Sequence, residues 1–114
     1  MRPNVSISDV ISAVEGEMIF EGESNTVQWV VSSGLMSDIL TTEEEEILLL
    51  SNLNTTQLVR TADMVGANAM MVTSGKPIPD DTVELAKELG ITLIRTKYPV
   101  FEACHKLSRL FFKE

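Results

Sequence analysis

The sequence predicts an α/β fold of three layers, αβα, built from successive βα units around a mostly parallel sheet of about four to five strands. Three observations predict it. The short apolar runs Ile47 to Leu50, Ala69 to Val72 and Ile91 to Arg95 are hydrophobic with little alternation, as strands of a parallel sheet are when helices cover both faces. Between them lie two segments of helical period, one ending at Gly66 and one at Gly90, and glycine supplies the left-handed residue that closes a helix. Strand, helix and strand in regular alternation then specify βαβ units with right-handed crossovers.

Taken in order, Ser8 is placed to cap a helix from Asp9 to Val14, with Val10, Ile11 and Val14 on one face and Gly16 at its end. Met18 to Phe20 reads as a brief strand, and Gly22, Ser24 and Asn25 carry turn chemistry. Val27 to Val31 suits a buried strand, closed by Ser32, Ser33 and Gly34, and Leu35 to Leu40 is long enough for a helical turn. Asn54 followed by Gln57 has the spacing of a capping box. The helix it starts puts Leu58, Val59, Ala62 and Val65 inward and Gln57, Arg60, Thr61 and Asp63 outward. Asp80 or Asp81 caps the next helix, with Val83, Ala86 and Leu89 inward and Glu84 paired to Lys87 outside. Pro99 opens a last helix whose apolar stripe is Phe101, Cys104, Leu107 and Phe111.

A chain of 114 residues, 44% hydrophobic, is long enough for one core and too short for two, so residues 1–114 are expected to form a single domain. Nine Lys and Arg against seventeen Asp and Glu give a net charge of −8, which argues against nucleic acid or an anionic membrane as partner. The one cysteine, Cys104, forms no internal disulfide, and the chain has neither a membrane-length apolar run nor a signal-peptide core. A cytoplasmic location is expected.

The search for chemistry is mostly negative. The acidic run Glu43 to Glu46 has no histidine beside it, and consecutive side chains diverge, so a solvated loop is expected rather than a metal site. Ser74-Gly75-Lys76 echoes a phosphate loop, but Met70 and Pro77 stand where that motif requires Gly and Ser or Thr. Cys104 and His105 are adjacent on a helix and point about 100° apart, unsuited to a nucleophile and base pair. Neither a catalytic residue nor a cofactor is implied.

One constellation remains. In an open parallel sheet the ligand crevice lies beyond the carboxyl ends of the strands. Those ends carry Ser33, then Asn54, Thr55 and Thr56, then Thr73, Ser74, Gly75 and Lys76, and finally Lys97 beside Tyr98. Hydroxyls, amides, two lysines and the free N–H groups of a helix start can hold a phosphate or carboxylate.

From about Val5 to Phe112 the order of elements, and the segment EILLLSNLNTTQLVRTADMVGANAMMVTSGKPIPDDTVELAKELGITLIRTKYPVFEA, resemble a DRTGG domain. That family is named for Asp-Arg-Thr at the start of its central helix and Gly-Gly after the following strand. Here those places hold Asn54-Thr55-Thr56 and Ser74-Gly75, so Thr56 and Gly75 alone keep the name residues. The resemblance implies an accessory domain of the kind found beside CBS pairs in some pyrophosphatases and in phosphotransacetylases, and similar to the N-terminal domain of HPr kinase/phosphorylase. It implies a non-catalytic regulatory or assembly module, homodimeric, serving a protein from a neighbouring gene and sensing a small anionic metabolite at the rim. Trp29, Met36, Met70 and Met71 are expected to offer an apolar partner surface. The alternative is a small enzyme of phosphate-ester or acyl chemistry that uses Lys76, Lys97 and a rim hydroxyl.

Overall fold

The computed structural model describes residues 3–32, 39–40 and 43–112. The elements are β1 (Val5–Ser6), α1 (Ile7–Ala13), β2 (Glu17–Phe20), β3 (Thr26–Val27), β4 (Trp29–Ser32) and β5 (Ile47–Ser51), then α2 (Thr56–Met64), β6 (Ala69–Val72), α3 (Asp80–Leu89), β7 (Thr92–Arg95) and α4 (Val100–Phe111). Among the described residues, five strands form one sheet in the order β2-β7-β6-β5-β4. The pairs from β4 to β7 are parallel, and β2 joins β7 antiparallel.

Alternation along the strands divides the interior into two cores. Leu48, Leu50, Ala69, Met71 and Ile94 pack with Val10, Val14, Ala103, Leu107 and Phe111, which come from α1, its C-terminal end and α4. Ile47, Leu49, Met70, Val72 and Leu93 pack with Leu58, Val59, Ala62, Leu85 and Ala86 from α2 and α3. The sheet therefore has helices on both faces, which is why its central strands carry no polar face. In register, Leu49 lies beside Met70 and Met70 beside Leu93. All three are fully buried, and each such side chain contributes roughly 1.5–3 kcal/mol of burial.

Several expectations are corrected by this packing. Met70 and Met71 are fully buried rather than exposed, because neighbouring strand residues point to opposite faces and both faces are covered. Met36 lies outside the described residues. Of the expected helical turn over Leu35 to Leu40, the described residues include Ile39 and Leu40, which are helical, with Ile39 fully buried. The run Val27 to Val31 is two strands, not one. Val27 pairs antiparallel with Val5 in a small sheet of its own, while Trp29 pairs with Ile47 at the edge of the main sheet.

Helix starts also differ from expectation. Ser6, not Ser8, caps α1 by accepting the Asp9 N–H at 3.0 Å. Thr55 takes the N-cap position of α2 and Pro79 that of α3, neither with a side-chain cap. Pro99 precedes α4 as its N-cap residue. Thr61 is buried, its hydroxyl donating back to the Gln57 carbonyl at 2.9 Å, and Phe101 points to solvent with 85% of its surface exposed. In place of Phe101 and Cys104, Ala103 completes the buried stripe of α4 with Leu107 and Phe111.

Candidate functional site

Among the described residues, the loops after β5, β6 and β7 leave the carboxyl edge of the parallel strands, and direct bonds lock these three together. The ladder runs one residue beyond the strands, with the Thr73 N–H donating to the Ser51 carbonyl and the Thr96 N–H to that of Val72, both at 3.0 Å. The chain then turns through Ser74 and Gly75, at φ +64° and +65°. Two successive left-handed residues are what a type I′ turn requires, and the Lys76 N–H reaches back to Thr73 at 3.5 Å. This turn lies over the β7–α4 loop. Ser74 N–H donates to the Tyr98 carbonyl at 2.9 Å and Gly75 N–H to that of Thr96 at 2.8 Å.

The β5–α2 loop is tied in from the other side. Asn54 spends its side-chain amide on the Pro77 carbonyl at 2.8 Å, and its own carbonyl accepts the Thr82 hydroxyl at 2.9 Å. Capping of α2 is thus not the role of Asn54, which holds two loops and the start of α3 together. Thr55 has extended backbone and no side-chain cap bond, so the first turn of α2 keeps N–H groups that no capping side chain takes up. Thr56 is the first helical residue.

The structure therefore brings Asn54, Thr55, Thr56, Thr73, Ser74, Gly75, Lys76 and Lys97 to one edge, in three loops joined by backbone and side-chain hydrogen bonds. Ser33 lies outside the described residues. The Ser74 and Gly75 amides are engaged in structure and are not open donors. Lys76 is exposed and has no ion pair among the described residues. Thr73 is fully buried, and its Oγ1 has no hydrogen-bond partner among the described residues.

Lys97 belongs to a second cluster that sequence reasoning missed. Glu15, just after α1, accepts the Tyr98 hydroxyl proton in a short hydrogen bond and lies 3.4 Å from Lys97 Nζ. Lys97 and Lys106 approach the Tyr98 ring, with Nζ 5.2 and 4.6 Å from its centroid. The Tyr98 hydrogen bond, then the Lys97 charge, hold the Glu15 carboxyl below its usual range, and the same bond pushes the Tyr98 phenol up. The sequence signal was faint. Glu15-Gly16 stands where α1 must end, and an ending at Gly16 hides the unusual role of its neighbour.

The remaining candidates separate cleanly. Among the described residues no group of three His, Cys, Asp or Glu is placed to hold a metal ion. Cys104 is half-buried; burial pushes its thiol up, while a hydrogen bond with Ser32 pulls it down, and His105 beside it is exposed. Between β4 and α4 lies an apolar cleft of about 190 Å³, lined by Trp29, Cys104, Leu107 and Phe111 among others. At the opposite end of the sheet from the rim, a hydroxyl-rich cleft of about 400 Å³ opens between Ser8, Ser12, Ser24 and Thr92. No described helix is long and apolar enough to cross a membrane.

No family model and no curated protein matches the chain in sequence. Among solved structures, the chain is similar to one described as the CBS and DRTGG domains of the regulatory region of Clostridium perfringens pyrophosphatase, complexed with its activator diadenosine tetraphosphate. The likeness has a TM-score of 0.74 at 18% identity and covers 94% of this chain. It spans 47% of that chain, about half its length. With the sheet order, the helices on both faces and this superposition, the chain has a DRTGG-like α/β fold.

Proposed function

We propose that the chain is a non-catalytic regulatory module, assembled as a homodimer, that senses a small anionic metabolite at the carboxyl edge of its parallel strands. Thr73 carries this reading. Thr73 follows β6 at this edge, and its hydroxyl is the buried side-chain polar atom without a partner among the described residues. An unpaired buried hydroxyl costs about 1–3 kcal/mol, a cost that stability alone would remove by substitution. On the same edge, the uncapped first turn of α2 and the ammonium of Lys76, which has no ion pair among the described residues, supply the N–H donors and positive charge that an anion requires. The similar pyrophosphatase region binds a nucleotide polyphosphate activator, which makes phosphorylated metabolites the first class to test.

Calorimetric titration with diadenosine tetraphosphate, acetyl phosphate and a panel of sugar phosphates tests the site. Saturable binding is expected for at least one, weakened about tenfold by Thr56→Ala and again by Lys76→Ala, since each change removes one charged or polar contact of about 1.4 kcal/mol. Undiminished affinity in both variants would remove the rim from consideration.

A further inference from the structure

Three helices of this chain end by the same backbone device, and one of them breaks its residue rule. After α2, the Ala67 N–H donates to the Ala62 carbonyl at 2.9 Å around Gly66 at φ +71°. After α3, the Ile91 N–H donates to the Ala86 carbonyl at 3.0 Å around Gly90, also at φ +71°. After α1, the Gly16 N–H donates to the Ile11 carbonyl at 2.8 Å, but the left-handed residue is Glu15 at φ +50°. A side chain in that conformation crowds its own backbone, which is why glycine is favoured there. A carboxylate at that end of a helix also faces exposed carbonyl oxygens. Two local preferences oppose a glutamate at this position.

Cations across the gap explain its presence. The Glu15 carboxylate meets the Tyr98 hydroxyl and Lys97 Nζ, while Lys106 lies on the same Tyr98 ring. Beside them a cleft of about 250 Å³ is lined by Ala13, Lys106, Arg109 and Leu110. Neither Lys106 nor Arg109 has a carboxylate within ion-pair distance among the described residues. In a chain of net charge −8, Lys97 and Lys106 gather at Tyr98 beside the exposed Glu15 carboxylate, which meets them as an anionic ligand would. Glu102 is a second carboxylate whose charge reaches the Tyr98 phenol.

We propose that Lys97, Tyr98 and Lys106, with Arg109 at the mouth, form a phosphoryl-binding site that Glu15 occupies in the ligand-free protein and vacates when a phosphoryl group arrives. This inference deepens the proposed rim function and rests on it, because the Ser74-Gly75 turn is bonded to the same β7–α4 loop and Gly75 packs beside the Lys97 backbone. A phosphoryl dianion offers the cations more charge and more acceptor oxygens than the carboxylate it displaces, and Glu15, being exposed, is free to swing into solvent. Occupancy at the rim is then read out as release of the α1 end.

Pyrophosphate titrated calorimetrically into the whole chain tests this. Removing the competing carboxylate in Glu15→Gln is expected to tighten binding about fivefold, and Lys106→Met to weaken it about fivefold, the size of an exposed charge contact. Glu17→Gln is the control, since it removes an equal charge that is paired instead with Arg95 at 2.6 Å, and it is expected to leave affinity unchanged. Equal tightening by Glu15→Gln and Glu17→Gln would reduce the effect to net charge and overturn the proposal. Binding that Lys76→Ala weakens but Glu15→Gln leaves unchanged would overturn it while sparing the rim. Absence of saturable binding in both wild type and Glu15→Gln would remove both.

Discussion

Among the buried threonines, the fate of each hydroxyl differs in one case. Thr61, Thr82, Thr92 and Thr96 donate to the carbonyls of Gln57, Asn54, Ser24 and Val14, at 2.8 to 3.2 Å. Thr73, equally buried, has no such partner among the described residues. Replacing a hydroxyl by a methyl of the same shape should therefore have opposite signs at two positions in adjacent loops. Thr73→Val is expected to raise unfolding free energy in urea by about 1 kcal/mol, because an unsatisfied group is removed. Thr96→Val is expected to lower it by about 1–2 kcal/mol, because the Val14 carbonyl loses its donor. If Thr73→Val destabilises, the hydroxyl has a partner in solution and the case for the rim weakens.

At the scale of elements, the junction of β2, β3 and β7 depends on one close approach. A Cβ on Gly22 would lie 2.3 Å from the Gly90 carbonyl oxygen and 2.6 Å from the Thr92 nitrogen, both backbone atoms that cannot swing aside. Gly66 is the converse, with open space around it and a left-handed backbone. Gly22→Ala is therefore expected to cost about 2–3 kcal/mol in a denaturant series, through overpacking. Gly66→Ala should cost about 1–2 kcal/mol through backbone strain alone. Comparable losses at the two sites would show that the junction can relax.

The elements legible in the sequence were those whose pattern does not depend on a distant partner. Strands β5 to β7 and helices α2 and α3 announce themselves through apolar runs, helical period and terminal glycines. Two-residue strands such as β1 and β3 are too short to have a period, and they exist because each supplies the other's hydrogen bonds. Cap positions were misjudged because Ser8, Asn54 and Asp80 have good cap chemistry, while tertiary contacts decided which residue took the post. Phe101 was misplaced for a related reason, since periodicity identifies residues that share a helix face and says nothing of what lies opposite them. The rim loops followed from parallel topology, but Glu15 and Tyr98 meet only through the completed fold.

Over the whole molecule, the exposed large apolar residues of the described surface are Met18, Leu40, Met64, Phe101 and Phe112, the last two near the start of α4 and just past its end. Phe101 is 85% exposed and Phe112 58%, and Phe112 stands edge-on to Trp29 with ring centroids 5.3 Å apart. Trp29 and Phe112 line the apolar cleft between β4 and α4, Phe101 lies on the same helix, and these are the apolar residues offered for the proposed homodimer. A stable interface needs about 800 Å² from each partner, with aromatic anchors near its centre. Sedimentation velocity at micromolar concentration is expected to show a dimer for the wild type and a monomer for the double variant Phe101→Glu, Phe112→Glu. A monomeric wild type would remove self-assembly from the proposal.

The pairing of β2 with β7, Glu17 beside Arg95 and Met18 beside Ile94, also bears on how the chain comes into being. Synthesis delivers the strand near the N-terminus first and its partner much later, a delay of roughly 4 to 16 seconds at about 5–20 residues per second. Through that interval β4, β5 and β6 can assemble in order, each beside its predecessor, while Ile19 and Phe20 wait without a sheet to join. The last strand to leave the ribosome thus seats the first long one, and an interrupted chain would display an unpaired, partly apolar edge of the kind that chaperones and proteases recognise.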